Sequence, residues 1–275
     1  MSNLILFEVR DHVATITLDR PAKLNSFADD MREQLITALD QVARDPDARV
    51  LVVTGAGRAF SAGGDVQHMV ALKERNAGFD EMLPLLEAGR RIVTRLHELP
   101  IPTIAAVNGV AAGAGANLAL ACDLRLASDQ ASFGETFVRI GLHPDWGGTY
   151  FLPRLVGAAR ALELCWLGDV IDAAEALRIG LVNRVIPAAE FAREVSAYAA
   201  RLAAAPATSV REIKRTIRAS EQRTLAACLD GETAAQELCW ASPDIAEGLR
   251  AFVEKRTARF GAGSAPSGAL GHRFE

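Results

Sequence analysis

The chain has 275 residues, of which 50% are hydrophobic and 23% charged, and its formal net charge is -4. Those values exclude an intrinsically disordered chain and a bulk partnership with nucleic acid, although a local basic patch can still hold a phosphorylated ligand. The length suits one large domain with an appendage.

The start, MSNLILFEVR, has no basic segment followed by a long apolar run, and no stretch reaches the length of a membrane-spanning helix, so a cytoplasmic protein with no membrane partner is expected. Residues Phe7 to Arg10 and Val13 to Leu18 read as a strand pair turning at Asp11–His12. A helix is expected after Asn25–Ser26, because Met31, Leu35, Leu39 and Val42 share one face and Asp29 and Asp30 fall in its first turn. Asp45–Pro46–Asp47 ends it. The buried strand VLVVTG, Val50 to Gly55, opens into AGRAFSAGGD. About fifty residues later TIAAVNG, Thr103 to Gly109, opens into VAAGAGANLALACD, so a unit of strand, glycine-rich turn and helix repeats.

Between the copies, Glu81 to Leu99 carries a helical stripe of Met82, Leu85, Leu86, Ile92, Val93 and Leu96, stopped by Pro100. A further strand runs from Asp123 to Ser128. Beyond Leu152 the pattern is helical, with short segments around 158–167 and 173–179 and long ones at 188–204 and 209–240. An α/β core at residues 1–200 is therefore expected, then a helical region at 201–260 and a loose tail at 261–275, where GAGSAPSG packs little. Cys122, Cys165, Cys228 and Cys239 form no CxxC pair, and the five histidines are scattered. Buried reduced thiols are expected, and no metal.

Three functional readings fit a strand ending in a glycine-rich turn. A dinucleotide fold needs GxGxxG, but TGAGRAF and GAGANL place Phe60 and Leu118 at the sixth position. A serine hydrolase needs GxSxG, which AFSAG lacks at its first position, and the late histidine would be His272 in the tail. An oxyanion hole needs only one backbone N–H from each turn, with small residues letting a carbonyl approach. Glycine and alanine packing strand against helix would explain either turn alone, and two turns less well.

The segments RPAKLNSF, AFSAGGD, PTIAAVNGVAAGAGANLALACDLRLAS, GLHPDWGGTYFLPRLVG and AFVEKRTARF, in this order, resemble the enoyl-CoA hydratase/isomerase or crotonase superfamily. The resemblance covers the chain up to Phe260. It implies a crotonase-like spiral of ββα units with a helical C-terminal trimerisation region, giving a homotrimer or a dimer of trimers. It also implies an acyl-CoA thioester substrate, so that coenzyme A enters with the substrate and no separate cofactor is expected. Matched onto this chain, the oxyanion donors are Ala62 and Ala114, the latter replacing the middle glycine of a triple-glycine turn. The ligand would run past Ala22, Lys23, Ala62, Gly63, Gly64 and Asp65 and meet Gly113, Ala114, Asn117 and Phe137, with Lys255 reaching a phosphate from a neighbouring subunit.

Hydratases of the family would carry glutamates where this chain has Asn117 and Phe137, so the water-adding pair is missing. Glu135 is the nearest acidic substitute, provided its segment is extended so that residues two apart point the same way. Asp145, in GLHPDWGGT, resembles the base of dienoyl-CoA isomerases and of the ring-opening 1,2-epoxyphenylacetyl-CoA isomerases of phenylacetate breakdown. Phe133, Phe137, Leu142 and Trp146 would give it an apolar pocket that raises its pKa. The plain alternative is that Asp145 caps the next helix. The expected activity is an acyl-CoA isomerase, in fatty acid or phenylacetate metabolism, with Asp145 as proton shuttle. A 2-enoyl-CoA hydratase and a non-catalytic acyl-CoA-binding protein are the competing readings. Trp166 and Trp240 are read as packing residues, and Arg211, Lys214, Arg215 and Arg218 as a solvated helical face.

Overall fold

A computed structural model of the protein describes residues 3–28 and 30–261, so that Asp29, His272 and the tail beyond Gly261 lie outside the described residues. Strands β1 (Ile5–Arg10) and β2 (Val13–Leu18) pair antiparallel, and both residues of the Asp11–His12 turn have positive φ, 49° and 65°, as a tight hairpin requires. Helix α1 (Met31–Arg44) buries Met31, Leu35, Leu39 and Val42 as the spacing predicts. It begins later than expected: Asp30 stands at the N-cap rather than in the first turn, and its carboxylate makes no capping bond.

The next elements form three ββα turns. The first has β3 (Val50–Gly55), β4 (Ala59–Ser61), α2 (Val66–Glu74) and α3 (Phe79–Glu98); the second has β5 (Thr103–Val107), β6 (Val110–Ala112) and α4 (Ala114–Ala121). The third has β7 (Leu124–Ser128), β8 (Ser132–Gly134), a 3-10 turn over Thr136–Ile140 and α5 (Gly148–Val156). In each turn the first strand joins one sheet and the second strand another. The large sheet therefore carries β3, β5 and β7 side by side, in parallel, and the small one carries β4, β6 and β8. The second strands have three residues each, too few for a periodic signal, so the units are marked in the sequence by glycine; the link between β7 and β8, Asp129–Gln130–Ala131, has none, which is why two copies are legible and not three.

Helix α6 (Ala158–Leu167), β9 (Val170–Asp172), α7 (Ala173–Arg178), β10 (Arg184–Ile186) and α8 (Phe191–Ala203) follow. Strand β9 closes the small sheet antiparallel to β8, and β10 ends the large sheet parallel to β7. The chain divides into two compact units, Met1–Ala200 and Arg201–Glu275. In the first, β5 and α4 are buried along their whole lengths.

The second unit holds α9 (Ala207–Ser220), α10 (Leu225–Ala241) and α11 (Asp244–Val253). The single helix expected over 209–240 is broken at 221–224, where the Thr224 side chain accepts from the Ala227 N–H and starts α10 afresh. The basic face of α9 is not wholly solvated: Arg211 and Arg215 converge at 3.4 and 2.6 Å on Glu212, which is buried. Trp166 and Trp240 are not packing residues within one chain. They are 69% and 74% exposed, since nothing among the described residues covers them. No helix among the described residues is long and apolar enough to cross a membrane.

Candidate active site

The two glycine-rich turns meet because their residues are small. A Cβ on Gly63 would come 2.5 Å from the Ala112 carbonyl and 3.2 Å from the Ala114 nitrogen, and one on Gly115 would lie 2.2 Å from the Ser61 carbonyl. A cleft enclosing about 580 Å³, part of it open to solvent, begins at this junction and suits a small-molecule ligand. Ala62, Gly64, Gly113, Ala114, Phe137, Leu142, Asp145 and Trp146 line it, with side chains of α2 and α3 such as Met69, Met82 and Leu86. Val66, Met69, Met82, Leu85 and Leu86 thus form an apolar wall.

One expected donor is corrected. The Ala62 N–H donates to the Leu24 carbonyl at 2.9 Å and has no hydrogen left for a ligand. Gly63 follows with φ +87°, which breaks the alternation of the extended chain, so that the Asp65 N–H, rather than that of Gly64, returns to the Phe27 carbonyl at 3.2 Å. The Gly64 and Ala114 N–H groups then have no acceptor among the described residues, and both residues line the cleft. Ala114 is the first residue of α4, where a helix leaves its N–H groups unpaired and its dipole favours negative charge.

Asp145 does not cap a helix. Gly147 is the N-cap of α5 and no side chain bonds there. Trp146 and Gly147 both take left-handed conformations, φ 48° and 80°, and turn the chain sharply behind Asp145. Trp146 is a bulky residue in a strained region, held by stacking on Phe27 at 4.5 Å and by close approach to Gly89, where a Cβ would strike the indole at 2.0 Å. The Asp145 carbonyl accepts from the Gly148 N–H at 3.0 Å and from Asn117 Nδ2 at 2.9 Å, while the carboxylate Oδ1 is buried without a partner. Burial pushes its pKa up to about 6, against the opposing charges of Arg32 and His143. His143 itself is exposed and its ring is bonded to the Pro144 carbonyl at 2.7 Å.

Asn117 is fully buried and does not line the cleft. Its amide holds the Asp145 loop from behind and reaches Glu135 Oε2 at 3.4 Å. Glu135 is not in an extended segment: at φ -86°, ψ 66° it precedes the 3-10 turn. Its carboxyl is 4% exposed and belongs, with Phe133, to a separate apolar cavity, where burial pushes its pKa up to about 7. Phe133 is thereby also removed from the expected wall around Asp145.

Along the expected coenzyme path, Ala22 and Lys23 are exposed, and Lys23 Nζ donates to Gln67 at 3.0 Å. The Asp65 carboxylate is engaged within the chain. It pairs with Arg20 at 2.8 Å and caps α2, and these bonds outweigh burial and hold its pKa below the usual range. Lys255 follows α11 in the second unit and is exposed. Sequence reading missed Arg32, a buried cation that lines the cleft and attracts Asp145. The signal was an arginine beside Met31 at the start of an otherwise regular amphipathic helix.

Residues 8–263 match the family model described as enoyl-CoA hydratase/isomerase. The chain is 42% identical over 267 residues to the 1,2-epoxyphenylacetyl-CoA isomerase of Escherichia coli, covering 94% of this chain and 99% of that one. It is 41% identical to a probable enoyl-CoA hydratase of Rhodobacter capsulatus, with 93% and 97% covered. The structure resembles that of an enoyl-CoA hydratase from Bacillus anthracis with a TM-score of 0.88 at 35% identity, covering 94% and 99% of the two chains.

Proposed function

The chain belongs to the enoyl-CoA hydratase/isomerase family, and from that premise we propose that it is an acyl-CoA isomerase that shifts a double bond or opens a ring through a thioester enolate. One observation carries the choice. Asp145 is the carboxylate of the cleft, with an unpaired oxygen, while residues 117 and 137 offer no acid with which to hold and activate water. Likeness to an isomerase from Escherichia coli supports the same reading.

In this mechanism the thioester carbonyl oxygen sits between the Gly64 and Ala114 N–H groups. Asp145 Oδ1 removes a proton from the α- or γ-carbon, and the C–H electron pair moves into the conjugated system to give the enolate. Each oxyanion donor is typically worth roughly 2.7–4 kcal/mol. For a double-bond shift, the protonated Asp145 gives the proton to the other carbon, the dienolate electron pair forms the new C–H bond there, and the double bond re-forms in its new place. For ring opening, the enolate pair forms a double bond and expels the ring oxygen, which takes the proton from Asp145 as a hydroxyl. No electrons leave the substrate, so coenzyme A as part of the substrate suffices. The exposed apolar residues of the second unit, Trp240 and Phe252 among them, support the use of α10 and α11 in a homotrimer or a dimer of trimers.

Asp145→Asn assayed on a 3-enoyl-CoA and an oxepin-CoA tests the reading, and near wild-type turnover would sink it. Water addition to crotonyl-CoA that is lost in Glu135→Gln would establish a hydratase instead. Tight acyl-CoA binding without α-carbon exchange in deuterated water would establish a non-catalytic binding protein.

A further inference from the structure

Two charged residues line the cleft, and the isomerisation uses Asp145 and leaves Arg32 without a task. Arg32 stands at the second residue of α1, 6% exposed, with its guanidinium carbon 5.9 Å from the centre of the Phe27 ring. Its Nε is buried without a hydrogen-bond partner. A guanidinium keeps its charge, and burying one beside apolar walls is costly unless it is paired. Asp65 does not pair it, being engaged by Arg20, and Asp145 Oδ1 is likewise without a partner. The cleft therefore holds a buried donor and a buried acceptor that line the same space and do not bond each other.

We propose that Arg32 is a specificity-determining residue of the acyl site, receiving a neutral hydrogen-bond-acceptor oxygen of the acyl group: an ether, epoxide, hydroxyl or carbonyl oxygen. This rests on the reading of the cleft as the acyl site. A pure hydrocarbon would expel water and leave the Nε donor unpaired in a dry enclosure. A carboxylate would satisfy Arg32 and bring a second negative charge against Asp145, whose own charge already balances the guanidinium. A neutral oxygen satisfies the donor and leaves Asp145 free to face an acidic C–H. Met69, Met82, Leu86 and Phe137 offer no polar side-chain group, and Thr136 is the other side chain of the lining that could donate to such an oxygen.

The test uses unreactive ligands, so that it is independent of catalysis. The intact protein is titrated with octanoyl-CoA and with its 4-oxa, 5-oxa and 6-oxa analogues, each replacing one methylene by oxygen. At least one oxa analogue is expected to bind about tenfold more tightly than octanoyl-CoA, and Arg32→Met is expected to erase that preference while Arg32→Lys keeps part of it. If octanoyl-CoA binds as tightly as every oxa analogue, the assignment of Arg32 is overturned and the acyl site stands. If no acyl-CoA binds, both are overturned. A preference that survives in Arg32→Met assigns the oxygen to another group and overturns the proposal; where Arg32→Met does not fold, a preference undiminished in Arg32→Lys overturns it in the same way.

Discussion

Asn117 Nδ2 donates both to the Asp145 carbonyl and to the Glu135 carboxylate, and burial raises the pKa of the two carboxyls, to about 6 and about 7. Only one of them faces the ligand cleft. Glu135 lines a separate, small apolar cavity among Leu120, Leu152 and Leu164, whereas Asp145 shares the cleft with the Gly64 and Ala114 N–H groups. A shifted pKa therefore does not identify a catalytic acid here, because desolvation acts on a carboxyl wherever it is buried. Access to the reacting carbon does.

The largest expected effect breaks the two carboxyls apart. Asp145→Asn should lower kcat by about 10²–10⁴-fold, the usual contribution of a positioned proton-transfer group, while Glu135→Gln should stay within about threefold of wild type. Steady-state rates on one isomerisable acyl-CoA check both, and equal losses would erase the distinction. Next, Asn117→Ala removes the amide that fixes the Asp145 carbonyl. It should lower kcat about tenfold with acyl-CoA affinity little changed, since it moves the base and not the binding surface.

The pH dependence sharpens the same contrast. The acidic limb of kcat/KM should fall below about pH 6 as Asp145 is protonated, and it should keep its position in Glu135→Gln. A limb that moves in that variant would couple Glu135 to the chemistry. A last effect is on stability and leaves the rates untouched. The folded-state pKa of Glu135 is raised from 4.5 to about 7, so its contribution is fully present below about pH 4.5 and is lost as pH rises through 7. Glu135→Gln should therefore gain stability at pH 8, by up to about 3 kcal/mol, with no gain at pH 4. Urea denaturation at the two pH values measures it.

Much of this site was legible in the sequence because its signals are local. The glycines at 63 and 115 mark places where backbone must approach other backbone, and the absence of acids at 117 and 137 left Asp145 as the candidate base. The donor next to Gly63 was not legible. Whether the Ala62 or the Gly64 N–H is free depends on where the Leu24 carbonyl lies, 38 positions earlier in the chain. Arg32 was hidden for the opposite reason: its neighbours Met31 and Leu35 advertise an ordinary buried helix face, and nothing local says that the face ends at a ligand cleft. The same limit applied to Glu135, whose orientation is set by a 3-10 turn with no distinctive composition.

By itself, the sequence determined the α/β class, the first two turns of the spiral and, through motifs that resemble a known family, the family and a carboxylate that lines the cleft. The class and the turns follow from hydrophobic periodicity and glycine placement and the rest from the motif resemblance, all of them carried by neighbouring positions. Only the tertiary structure decided which N–H groups remain unpaired, which of two buried carboxyls faces the cleft, and that a guanidinium lines it. Those are questions of which groups already bond one another across the fold, and hydrogen-bond satisfaction is settled by distance in space rather than by order along the chain.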